Sequence, residues 1–118
     1  MAQVITLDEY QARCGDTANY PEAGTGLDDA VTYTILGLVG EAGEVADKYK
    51  KNLRGDYDND PDFTVQKVIA AELGDVLWYA ARLATEIGLD LSEVAQGNLD
   101  KLASRKERGV IKGSGDLR

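Results

Sequence analysis

The chain has 118 residues, 43% of them hydrophobic and 29% charged, which is a length for about one domain and a globular composition. Its 13 basic and 21 acidic residues leave a net charge of −8, so most of the surface repels phosphate and a nucleic-acid polymer is not an expected partner. No run approaches the ~20 apolar residues of a membrane span and the N-terminal segment lacks the pattern of a secretory signal, so no membrane partner is expected and a cytoplasmic location follows.

Four helical patterns and no strand pattern run along the chain. Thr6 and Glu9 fit a capping box that opens a first helix over about 7–17. The segment around Tyr20-Pro21 to Gly26 reads as a loop. A second helix is expected over about 28–53, because Val31, Ile35, Leu38, Ala42, Val45 and Tyr49 recur at steps of three and four. The polar stretch 55–61 is a connector, and a third helix follows over about 64–87, stopping at Gly88. The fourth begins after Asp90, with Glu93 at its third position, and stops at Gly109. The expected fold is all-α: an antiparallel bundle of about four helices in a single domain, with its core at about 28–109 and a flexible tail at 110–118. Helices of about 25 residues extend ~38 Å, longer than a compact monomer of this size is wide. Oligomerisation through the long helices is therefore expected.

There is no histidine, and Cys14 stands alone. Imidazole–zinc sites and a Ser–His–Asp relay are excluded, and any metal must be held mainly by oxygen, which favours magnesium or manganese. The acids in the helices supply such oxygen. On the third helix Val65, Val68, Val76, Tyr79 and Leu83 fall within about 40° of Glu72 at 100° per residue, with Asp75 about 60° to one side. Two carboxylates thus interrupt an apolar stripe, where an unpaired charge would cost several kcal/mol. On the second helix Glu41 and Glu44, three apart, share a face; taken alone, that pair could also be an ordinary solvated surface. Gly37, Gly40, Gly43 and Gly74 lie among these acids, as expected if a helix or a ligand approaches closely, although packing alone would also explain them. Across one seam the four acids would repel unless cations joined them, and with magnesium they become a site for phosphate oxygens. The fourth helix places Asn98 and Arg105 on its apolar stripe with Lys101 at the edge, groups suited to phosphate or, alternatively, to intersubunit salt bridges.

Leu38-Val39-Gly40-Glu41-Ala42-Gly43-Glu44-Val45-Ala46, then Glu72-Leu73-Gly74-Asp75-Val76-Leu77-Trp78-Tyr79, then Asn98-Leu99-Asp100-Lys101-Leu102 resemble the motifs of the MazG-like family of all-α nucleoside triphosphate pyrophosphohydrolases. The resemblance covers about 33–108. It implies hydrolysis of a (deoxy)nucleoside triphosphate to the monophosphate and pyrophosphate, in the service of nucleotide-pool control or house-cleaning. It further implies Mg2+, with Mn2+ as a substitute, held by Glu41, Glu44, Glu72 and Asp75. Because the chain has no histidine, a carboxylate, Glu41, is expected to orient or deprotonate the water. Substrate contacts would come from Asn98, Lys101 and Arg105, with Lys48 and Lys51 nearby, in a homodimer or a homotetramer built as a dimer of dimers. Many members carry two adjacent acids where this chain has Gly40-Glu41, a first motif similar to that of the dCTP pyrophosphatase branch. That branch has a tryptophan shortly afterwards, where Tyr49-Lys50-Lys51 stands here. The competing expectation is a non-catalytic helical dimerisation module whose acid pairs are structural.

Overall fold

A computed structural model describes residues 3–118. Among them there are four α-helices and no strand: α1, Leu7–Cys14; α2, Asp28–Arg54; α3, Val65–Glu86; and α4, Leu91–Glu107. The Thr6 hydroxyl accepts the Glu9 N–H at 3.1 Å while the Glu9 carboxylate accepts the Thr6 N–H at 3.3 Å, closing the expected capping box. α1 is shorter than its sequence pattern suggests, because Gly15–Thr17 tightens into a 3-10 turn. α2 has no side-chain cap, but Asp28 and Asp29 sit in its first turn, where the helix dipole favours negative charge. It ends at Gly55, whose φ of 87° is the left-handed conformation that glycine adopts readily. At the start of α3 the Thr64 hydroxyl accepts the Lys67 N–H at 3.3 Å. Asp90 precedes α4 as expected, but its side chain makes no capping bond, so no capping box forms around Glu93.

α2 and α3 are the principal pair. They run antiparallel: Tyr33 stands beside Tyr79, Glu41 beside Glu72 and Asp75, and Tyr49 lines one groove with Val65. α1 crosses the other half of α3, where Cys14, Ala81 and Leu91 form a small buried core flanked by Tyr10 and Trp78. Gln11 fastens this crossing. Its amide donates to the Leu89 carbonyl at 2.9 Å and its oxygen accepts the Leu91 N–H at 2.7 Å, so α1 holds the turn between α3 and α4.

The loop from Ala18 to Leu27 hangs on one carboxylate. Glu86 is buried and accepts hydrogen bonds from the Tyr20 hydroxyl at 2.9 Å, from Gly26 N–H at 3.0 Å and from Gly24 N–H. Buried Arg82 donates to the Tyr20 hydroxyl at 3.0 Å and lies 3.6 Å from Glu86. Burial pushes the Glu86 carboxyl up, but the two backbone N–H groups, the Tyr20 hydroxyl and the Arg82 charge together outweigh it and hold the group below the usual carboxylate range.

Much apolar surface stays outside. Of the stripe expected on α2, Val31, Leu38 and Val45 are half-buried, whereas Ile35, Ala42 and Tyr49 are exposed, because within the protomer only α3 covers α2 along its length. Leu36 and Val39 on α2 and Leu73 and Leu77 on α3 are exposed as well. The accessible surface is 8464 Å2, against ~6,200 Å2 for a compact monomer of this mass. The radius of gyration, 17.4 Å, likewise exceeds the ~13–14 Å expected of a compact chain of this length.

Candidate metal centre

The acids meet near the middle of the α2–α3 seam. Glu41 comes from α2, while Glu72 and Asp75 project from successive turns of α3. Each offers a carboxylate oxygen within 4.8 Å of the other two; Glu41 and Glu72 are half-buried and Asp75 is exposed. Among the described residues no cationic side chain is hydrogen-bonded or ion-paired to any of the three. Burial, the Asp75 charge, the Glu72 carboxyl and the charge of Glu44 all push the Glu41 carboxyl up from its ordinary value.

The donor set is all oxygen, which suits a hard divalent cation. Oxygens bound to one magnesium at ~2.1 Å lie ~3–4.2 Å apart around an octahedron. The observed spacing closes to that with small side-chain rotations, so the residues fit the group. Glu44, exposed on the next turn of α2, falls outside the cluster of three; its carboxylate reaches Glu41 only as a charge.

The glycines around the acids divide in two. A Cβ on Gly37 would lie 2.1 Å from the Tyr79 ring, so glycine there lets the ring rest on the α2 backbone. Gly40, Gly43 and Gly74 would meet nothing within 4 Å. Packing between helices of this protomer therefore explains Gly37 and does not explain the other three.

All of the helix pair but the first two residues of α2, the acid cluster and the whole of α4 fall within residues 30–110, which match the family model of the MazG nucleotide pyrophosphohydrolase domain. The chain belongs to this family. It is also 51% identical over 115 residues to the Gene 37 protein of Mycobacterium phage L5, an alignment that covers 95% of this chain and 98% of that one. No solved structure matches it.

The family is one of nucleotide pyrophosphohydrolases, and this MazG domain presents the rest of its expected site residues unevenly. Asn98 is exposed on α4. Lys51 is held by Asp47 at 2.7 Å, an acid whose carboxyl Lys51 and Lys50 lower to about 2, and Lys48 is half-buried on the same helix. Lys101 lies 3.7 Å from Asp116, and Arg105, which belongs to the expected stripe of α4, is buried beneath the C-terminal segment. None of these cations joins the three carboxylates.

Two tyrosines stand near the acids, and the sequence reading assigned neither a part in the site. Tyr79 lies one turn beyond Asp75, and burial, contact with the Tyr33 hydroxyl and the charges of Glu41 and Asp75 raise its pKa. Tyr10 of α1 is pushed up to about 12 by burial, by Cys14 and by the Asp75 charge. The signal was available for one pair: Tyr33, Gly37 and Glu41 follow one another at steps of four on α2, and Asp75 and Tyr79 do so on α3. Trp78 lies off the acid-bearing face and donates its ring N–H to the Thr17 hydroxyl at 2.9 Å, against the small core.

Proposed function

We propose that this MazG domain hydrolyses (deoxy)nucleoside triphosphates to the nucleoside monophosphate and pyrophosphate with Mg2+ as cofactor, controlling or cleaning a cytoplasmic nucleotide pool. The observation that carries the reading is the uncompensated group of Glu41, Glu72 and Asp75 in the seam of a family whose members are nucleotide pyrophosphohydrolases. A structural acid pair would have a cationic partner, as Glu86 has in Arg82, and among the described residues these three have none.

On this reading Glu41, Glu72 and Asp75 hold the metal, with Glu44 joining from the next turn, and Mn2+ can replace Mg2+. When bound there, the cation would supply neutralisation of charge on the triphosphate oxygens and a more acidic water. The chain supplies the rest. Glu41, whose surroundings raise its proton affinity, takes the proton as the water oxygen bonds to phosphorus. The α–β phosphoanhydride bond breaks and its electron pair leaves with pyrophosphate or the monophosphate. Asn98, Lys101 and Arg105, aided by Lys48 and Lys51, hold phosphate oxygens.

The active form on this reading is a homodimer or a dimer of dimers. The surplus of ~2,200 Å2 over a compact monomer exceeds the ~800 Å2 that each partner buries in a standard interface. Exposed Leu36, Val39, Leu73 and Leu77 would be covered in it, and glycines 40, 43 and 74 face space that a second chain or a substrate can enter.

The test is a screen of canonical and modified nucleoside triphosphates with magnesium, scoring pyrophosphate against orthophosphate. Pyrophosphate and monophosphate in equal amounts are expected; orthophosphate as sole product would overturn the reaction assigned. Sedimentation equilibrium should give a multiple of the 12.7 kDa chain mass, and a monomer at micromolar concentration would contradict the assembly.

A further inference from the structure

Residues 110–118 contain no helix, yet they close on themselves and on α4. The Arg118 guanidinium donates to the carbonyls of Val110 at 3.2 Å and Ile111 at 3.1 Å and also contacts that of Gly115. Arg108 donates to the Arg118 carbonyl at 2.9 Å. The loop so formed carries Asp116 back to α4. There Arg105 Nη2 donates to the Asp116 carbonyl at 2.8 Å, and the Asp116 carboxylate stands 3.5 Å from Arg105 and 3.7 Å from Lys101.

Burial across this contact is lopsided. The Arg105 side chain is 6% exposed and that of Asp116 is 87% exposed. Arg105 Nε is buried with no hydrogen-bond partner among the described residues. A guanidinium is best satisfied by two oxygens of one anion along an edge of its fork. Here one carbonyl takes Nη2, a water-exposed carboxylate stands slightly beyond hydrogen-bond range, and Nε goes unmet. The segment thus covers the cation without satisfying it, and an oxyanion with several oxygens would satisfy it better.

We propose that the C-terminal segment is a built-in competitor for the polyphosphate: Asp116 engages Lys101 and Arg105, and substrate or product phosphate displaces it. The proposal rests on the reading of Lys101 and Arg105 as phosphate-binding groups. Because Asp116 is only eleven residues from Arg105, its effective concentration is of the order of millimolar. An incoming phosphate therefore binds with an apparent affinity scaled by the fraction of chains in which the segment is open. The consequence is a KM raised with no change in kcat, which spares the nucleotide when it is scarce.

The experiment uses the full chain without metal and inorganic pyrophosphate as the probe, titrated calorimetrically into wild type, Asp116→Asn and Asp116→Ala. Asp116 is exposed, so both variants should keep the wild-type melting temperature within a degree or two. Removing the competing carboxylate should tighten pyrophosphate binding about 2–5-fold, and adding Lys101→Gln should cancel that gain. With nucleotide and magnesium the same variants should lower KM by a similar factor at unchanged kcat. Unaltered pyrophosphate affinity in both variants would overturn the competitor, even in a chain that hydrolyses nucleotides. Tighter pyrophosphate binding in a chain with no hydrolysis would instead leave the competitor standing and remove the proposed function.

Discussion

α3 carries two acid sites about three turns apart, and their surroundings differ in kind. At its C-terminal end Glu86 is fully buried but accepts bonds from two backbone N–H groups and the Tyr20 hydroxyl beside Arg82, and its carboxyl is held low. In its middle Glu72 and Asp75 face Glu41 with no cationic side chain of the described residues paired to them, and the Glu41 carboxyl is pushed up. The first site is complete within the chain and organises a loop. The second is repulsive within the chain, and on the proposed reading a divalent cation relieves that repulsion. Burial alone would rank them the other way, since the more buried acid is the settled one. What separates structure from function here is whether the chain itself supplies the partner.

Substitutions should separate the two sites most sharply. Glu72→Gln or Asp75→Asn should lower pyrophosphate release by ~10²-fold or more, as expected when a group that binds charge in the transition state is removed, while melting temperature stays level or rises. A drop of several degrees in that melt would place these acids in a structural network instead. Glu86→Ala should behave oppositely in stability, costing about 3–5 kcal/mol in urea unfolding, because it strands Arg82 and two loop N–H groups. Less than about 1 kcal/mol would mean that the loop is held by other contacts.

Smaller effects sharpen the boundary between the sites. Gly37→Ala should cost about 1–3 kcal/mol, since the new methyl meets the ring of Tyr79, which lies between the two acid sites along α3. A neutral result would show that the ring moves freely. Acid titration gives the smallest signal, with opposite signs. Glu86, whose folded pKa is depressed, contributes stability that is present above the unfolded value of ~4.3 and lost as pH falls through the folded one. Glu41, whose folded pKa is raised, contributes stability that is complete below ~4.3 and lost as pH rises through the folded value. In metal-free protein Glu41→Gln should therefore flatten the loss of stability above pH ~4.3, and Glu86→Gln should flatten the loss below it. Identical slopes in wild type and both variants would contradict the assigned environments.

The helices were legible because their signals are local. Thr6-Glu9, Thr64 and Gly55 mark ends that the chain obeys, and the steps of three and four predict α2 and α3 to within a residue or two. Glu72 and Asp75 stood out because they break an apolar stripe. What escaped depends on contacts distant in sequence. The α2 stripe looked continuous, but half of it is uncovered by this chain alone. Glu44 shares the Glu41 face in a helical projection, yet its carboxylate lies outside the group of three and reaches Glu41 only as a charge. Arg82 and Glu86 are an ordinary i, i+4 pair in sequence, and only the returning loop at Tyr20, Gly24 and Gly26 buries them. Likewise nothing about Asp116 in sequence shows that it folds back onto Arg105.

The central claim, that Glu41, Glu72 and Asp75 together bind a divalent cation, is tested most directly by titrating Mn2+ and following the free ion by electron paramagnetic resonance. Wild type should deplete the free signal stoichiometrically in the micromolar to millimolar range, and added Mg2+ should restore it. Folded Glu72→Gln and Asp75→Asn chains should bind at least ~10-fold more weakly. Equal depletion by wild type and both variants would contradict the account.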